Sequence, residues 1–176
     1  MCPGGVIAQH FRVCLAIAVE YSAMASSVGY HCGPCFQQRG SLMPIDERWN
    51  QLDASDWDAF AQSWIAELRG TPSDSEANVG QSVVMMNFTA RPEHQWQFIL
   101  AAIAHASDDE LGHIAAGPME HLLGKHGDKY LEKVEQRAEA DPRFARMLAG
   151  VWKYMMSDHV WARVEALKAK YPATPK

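Results

Sequence analysis

The stretch Ala115 to Val164, AAGPMEHLLGKHGDKYLEKVEQRAEADPRFARMLAGVWKYMMSDHVWARV, decides the fold. Gly117-Pro118, Gly127-Asp128, Asp141-Pro142 and Ser157 cut it into four pieces of helical periodicity, each with start or stop signals. Pro118 opens the first piece, with Met119, Leu122 and Leu123 inward, and Gly127 closes it. Asp128 to Ala140 follows, placing Tyr130, Leu131, Val134 and Ala138 on one face. Asp141-Pro142 then starts a helix whose buried side is Phe144, Met147, Leu148, Val151, Trp152 and Met155. Ser157 caps the last, with Val160, Trp161, Val164 and Leu167 facing in.

Upstream the same rhythm continues. Ser107 caps a helix from Asp108 to Ala116, and Pro92 starts one that buries Trp96, Ile99, Leu100 and Ile103 and ends near His105. Ser73 or Ser75 opens another through Val79, Val83 and Met86 to Phe88. The first helix is marked by Trp57, Phe60, Ala61, Trp64, Ile65 and Leu68, with Ser55 as N-cap, Asp58 three residues on, and Gly70-Thr71-Pro72 as its stop. About eight short helices on short links predict an all-α domain over residues 43–170, either an irregular bundle or a HEAT-like stack of helix pairs. No fixed-period repeat is present. For residues 171–176 the expectation is a frayed tail.

Residues 1–42 are different in character. They hold all four cysteines (Cys2, Cys14, Cys32 and Cys35) and two basic residues against one acidic. The apolar run from Val13 to Val19 falls far short of the roughly 20 residues a membrane span needs. Arg12, that run and Ser22 to Ala25 have the order of a secretory signal, but Glu20 and Tyr21 interrupt it. The expectation is a start at Met43, or a disordered extension before it. Cys32-Gly33-Pro34-Cys35 matches the thioredoxin dithiol, yet that chemistry needs a buried strand before it and a helix after it, and neither pattern is there. A zinc site would need two more ligands, and only His31 is near.

Charge excludes further classes. The net formal charge is −5, and residues 43–106, with three basic against nine acidic residues, carry −6. No basic stripe faces phosphates, so nucleic acid is not an expected partner, and no segment suits a membrane. Gly-x-Ser-x-Gly, a phosphate-binding glycine loop and His-Glu-x-x-His are all missing from the chain.

One polar constellation remains: Asp108, Asp109, Glu110, His113, Glu120, His121 and His126. Glu110 and His113 share a helix face at i, i+3, as in carboxylate-bridged di-iron bundles, but no second Glu-x-x-His completes such a site. Asp109 and His113, at i, i+4, with Glu120 or His126 would bind a single metal at most. The structural alternative is that the three acidic residues stabilise a helix start, that Glu120 satisfies free N–H groups and that His126 favours a helix end.

The segment Ala116 to Gly127 resembles a family of uncharacterised bacterial proteins, a domain of unknown function with the pattern A-G-P-L/M-E-x-L-L-x-x-H-G. The resemblance continues through the D-P-R-F segment at Asp141 to Phe144, Val151-Trp152 and Asp158 to Trp161, and loosely takes in Trp57 to Trp64. It covers roughly Met43 to Lys168 and implies an all-α fold and a bacterial origin, with no catalytic residue.

The resulting expectation is a cytoplasmic, non-enzymatic protein-interaction module without cofactor, binding an unknown protein partner. One form is an immunity or antitoxin-like role, in which acidic residues mask a basic toxin. The candidate contact residues are Asp53, Asp56 and Asp58, with Glu120 paired across a groove to Arg143 or Arg146. The alternative is a metal-dependent enzyme built on Glu110, His113, Glu120 and His126, which requires those four side chains to converge.

Overall fold

A computed structural model describes residues 46–70 and 78–171. The expectations for residues 1–42, including the Cys32–Cys35 pair, for Ser73 or Ser75 as a helix start, and for the tail beyond Tyr171 lie outside the described residues.

A 3₁₀ turn, Glu47–Gln51, leads into α1, Ala54–Leu68, followed by α2, Val79–Thr89, and α3, Pro92–His105. Helix α4 spans 111–140 and is assembled from Leu111–Ile114, a π-turn at Ala115–Met119, and Glu120–Ala140, the last being two helical stretches that meet at His126. Helices α5, Pro142–Leu148, and α6, Asp158–Lys170, complete the described chain. The class is all-α, with six helices among the described residues rather than about eight. None of them is long and apolar enough to cross a membrane.

The core is a single cluster of buried side chains contributed by every helix. Trp57, Ala61, Trp64 and Ile65 form the inner stripe of α1, which lies along α3. There Phe98 receives Phe60 at 5.1 Å and Trp64 at 5.5 Å between ring centroids. Phe144 carries the α5 side and meets Trp96 edge-on at 5.6 Å. Tilted and edge-on rings at these separations add about 1 kcal/mol a pair beyond the area they bury.

Three local expectations are corrected. The N-cap of α1 is Asp53, not Ser55: its carboxylate accepts the N–H groups of Ser55 and Asp56 at 2.8 and 3.0 Å, while Asp56 accepts the Asp53 N–H in return. Ser55 donates its hydroxyl to Asp53 instead. A charged acceptor at the positive end of the helix dipole outcompetes the hydroxyl.

Gly117-Pro118 does not divide α4, whereas the boundary expected at Gly127 is marked by a kink at which two helical stretches meet. Pro118 has no N–H to give, and the π-turn absorbs it by letting the Glu120 N–H reach back to the Ala115 carbonyl. Gly127 sits just past a kink at His126 (φ −133°, ψ 18°) and serves packing: a Cβ there would lie 2.7 Å from Cγ1 of Val160 on α6.

The helix opened by Pro142 stops at Leu148 instead of running on to Met155. Residues 151–157 form a loop in which Val151 and Met156 are buried. Trp152 and Met155, expected inside, are 64% and 69% exposed, and Met155 adopts the left-handed region (φ 50°).

Candidate functional site

The loop over residues 151–157 presents two large apolar side chains to solvent yet is firmly fixed. Its first peptide group, Val151–Trp152, is held at both ends. The Trp152 N–H donates to Glu120 Oε1 on α4 at 2.8 Å, and the Val151 carbonyl accepts from Lys168 Nζ on α6 at 2.7 Å. The carboxylate thus faces the positive end of the peptide dipole and the ammonium its negative end. Both bonds are charge-assisted, the stronger kind.

The middle of the loop rests on α4 where that helix has no side chain. A Cβ at Gly124 would stand 2.5 Å from the Tyr154 carbonyl oxygen, so only glycine admits this close approach. The far end runs into α6, where the Ser157 hydroxyl accepts the Val160 N–H at 3.2 Å and the exposed Lys153 pairs with Asp158.

The α4 groups beneath the loop are buried and polar. Glu120 is 5% exposed, and burial pushes its carboxyl up to about 6, opposed by the Trp152 N–H and by Lys168. His121 is 6% exposed and lies between the rings of Phe88 and Tyr154, with centroids 4.7 and 4.8 Å away. Burial, then the charge of Lys125, holds it down to about 4, so it is neutral at pH 7. Lys125, itself lowered by burial, donates to the Asn87 carbonyl at 3.0 Å and stands 4.6 Å over the Phe88 ring, closing the end of α2. Asn87 Oδ1 and His121 Nδ1 are buried without a hydrogen-bond partner among the described residues.

The residues singled out in the sequence are dispersed. Glu110 takes a two-toothed bond from Arg69 (2.7 and 2.9 Å) and the Ser107 N–H at 2.6 Å. The Arg69 bond is the main reason its carboxyl falls to about 2. His113 is half-buried, and His126 sits at the α4 kink with its pKa lowered chiefly by burial. Among the described residues no three His, Cys, Asp or Glu side chains gather to hold a metal ion. The convergence required of Glu110, His113, Glu120 and His126 is therefore not found.

Asp53 and Asp56 form the α1 capping box, and Asp58 meets His105 Nε2 at 2.9 Å. The expected pairing of Glu120 with Arg143 or Arg146 is also corrected. Arg143 donates to the Ala106 carbonyl, and Arg146 pairs with Asp108. Both arginines are thus engaged at the α3–α4 link, and the clamp on Glu120 is made without them.

A shallow open depression of about 390 Å³ lies elsewhere, between Trp49, Leu52 and Met85, and none of the candidate residues lines it. Sequence reasoning missed Lys168, and it placed Trp152 and Met155 inside. The signal for Glu120 and the loop was present, since Glu120 and Val151-Trp152 both fall in the segments of the family resemblance, and the fold joins them.

The chain belongs to a family of unknown function, DUF6869, whose model matches residues 69–171. That span holds α2 to α6 and the whole clamp. No curated protein and no solved structure matches the chain.

Proposed function

We propose that this member of the family is a non-enzymatic protein-interaction module whose contact is the loop carrying Trp152 and Met155. The observation that carries the reading is the exposure of these two side chains on a loop whose backbone is fixed by two charged groups and one glycine. Exposed apolar side chains on a mobile loop are common. On a pre-fixed loop they bind with little ordering cost, as anchoring residues do. A Trp and a Met together cover roughly 300 Å² on the exposed areas typical of such side chains, below the ~800 Å² per partner of a standard stable interface. The fitting partner is a protein with an apolar pocket that admits the indole, with further contact around its rim.

The acidic form of this role, masking of a basic toxin through Asp53, Asp56 and Asp58, draws on the same negative segment. Those carboxylates are engaged in capping and in the His105 contact, and so steer approach more readily than they anchor it.

The test is a double substitution, W152A with M155A. A partner captured by the wild-type chain and rebuilt from purified components is expected to lose at least tenfold in affinity to the variant, with an unchanged melting temperature. Equal affinity for both chains overturns the assignment.

A further inference from the structure

We propose that the partner of the Trp152 loop is a second copy of this chain, and that two copies exchange loops: Trp152 of each seats in the depression that Trp49, Leu52 and Met85 form on the other. The proposal rests on the interaction reading above and names its partner.

The chain holds both halves of such a contact. The loop offers an indole and a thioether on a fixed backbone, and the depression, about 390 Å³, has the size of sites that take a small organic group. Its three large side chains are apolar, while Asn78, Gln81 and Ser82 bring side-chain oxygens able to accept the Trp152 indole N–H.

Helix α2 lies between the two halves. Met85 lines the depression, and Phe88, one turn further along, meets the His121 ring, whose other neighbour is Tyr154 of the loop. The polarity of this helix is inverted: Asn87 and Thr89 are buried, whereas Val84, Met85 and Phe88 are only half-buried. Those three share one helix face. A two-fold axis through that face sets each loop opposite the other copy's depression, the self-complementary arrangement of a closed dimer.

Area favours exchange over a one-way contact. Trp152 and Met155 cover roughly 300 Å² and the receiving surface about as much, so a one-way contact buries about 600 Å² in total, the size of chance packing contacts. Exchange doubles this to about 1,200 Å², the lower bound of specific interfaces, before the α2 face is counted. Charge agrees. The side chain of Asp158, where the loop enters α6, is 97% exposed, and that of Arg48, beside the depression, is 81% exposed. Their own-chain partners, Lys153 and Asp46, leave most of both side chains in solvent, and exchange brings these opposite charges together twice.

The experiment is sedimentation of the full-length chain in reducing buffer from about 1 to 500 µM, a span suited to an interface of this size. The wild type is expected to pass from monomer to dimer and no further. W152A and M85E should each weaken the dimer at least tenfold. Titrating labelled W152A with M85E should give a heterodimer at least tenfold tighter than either variant forms with itself, because the loop of the M85E chain enters the intact depression of the W152A chain. Q81E guards against a misfolded M85E: an acid suits the first turn of α2, and facing Asp158 it should weaken the dimer about threefold. Melting temperatures of wild type and W152A, taken at about 1 µM where both are monomers, should agree.

A chain monomeric throughout overturns the proposal, and the loop's role toward another protein is then judged by the affinity test above. A dimer that W152A leaves intact overturns it as well, as does a mixture no tighter than the single variants. Species larger than the dimer would mean one-way seating in open chains and would also overturn the exchange.

Discussion

Glu110 and Glu120 belong to the same helical region and are treated in opposite ways. At the Arg69 corner a two-toothed guanidinium and a backbone N–H hold Glu110 ionised far into acid, in a partly exposed setting. Ten residues on, Glu120 is sealed beneath a loop with one peptide N–H for a hydrogen bond and a lysine charge beyond it. The first arrangement is a surface ion pair that ties the end of α1 to the start of α4. The second places a charge where charge is costly, and what it secures is the position of two exposed apolar side chains. A buried acid that fixes a displayed loop has a different use from a partly exposed acid that fixes a corner.

Four measurements put that contrast at risk. Replacing Glu120 by Ala leaves the Trp152 N–H and Lys168 without their buried partner and is expected to cost about 3–5 kcal/mol, whereas E110A at the screened corner costs about 0.2–1 kcal/mol. Denaturant unfolding of both variants decides it, and equal losses would erase the distinction. Gly124→Ala pushes a methyl group against the Tyr154 carbonyl and should cost about 2–3 kcal/mol, lowering the thermal midpoint and increasing exchange in the loop.

Stability should also respond to pH through the two adjacent buried groups on α4. Glu120, raised from 4.5 to about 6, contributes stability that is fully present below pH 4.5 and is lost as pH rises through 6. His121, lowered from 6.5 to about 4, contributes stability present above pH 6.5 and lost as pH falls toward 4. The two oppose each other across the same window, with the histidine the larger. E120Q removes the compensating slope and should deepen the loss between pH 6.5 and 4.5 by roughly 2 kcal/mol, since each tenfold change in proton affinity is worth about 1.4 kcal/mol. An E120Q profile parallel to the wild type would count against a buried, titrating Glu120. The smallest stability effect belongs to Trp152→Ala, within about 0.5 kcal/mol of wild type, because the side chain is largely in solvent. A larger change by calorimetry would mean that the indole supports the fold instead of being presented by it.

Much of the fold was legible because apolar spacing reports burial directly. The stripe Trp57, Ala61, Trp64 and Ile65, the start at Pro92 and the Asp141 cap of α5 are all where the pattern puts them. Spacing misled at Trp152 and Met155, where an apolar rhythm continues past the end of its helix at Leu148. Gly117-Pro118 was read as a break because the signals for stopping a helix and for inserting a π-turn are the same residues. The site was less legible for a plainer reason. Glu120 and Lys168 both hold backbone atoms, and the identity of the residue at the other end leaves no mark on such a bond. Surface pairs such as Arg146 with Asp108 were equally silent, since partners 38 residues apart share no local pattern.

The π-turn at Ala115–Met119 has a consequence for the numbering of everything that follows it. A π-turn is an α-helix with one residue too many, and that surplus residue sets the rotational phase of the helix that follows as far as the kink at His126. Deleting Pro118 would restore an ordinary helix and rotate the face that follows by about 100°. Glu120 and Gly124 would then leave the loop together, whereas a point substitution removes one of them at a time. The length of this chain between Ile114 and Glu120 is therefore as much a determinant of the loop as any side chain in it.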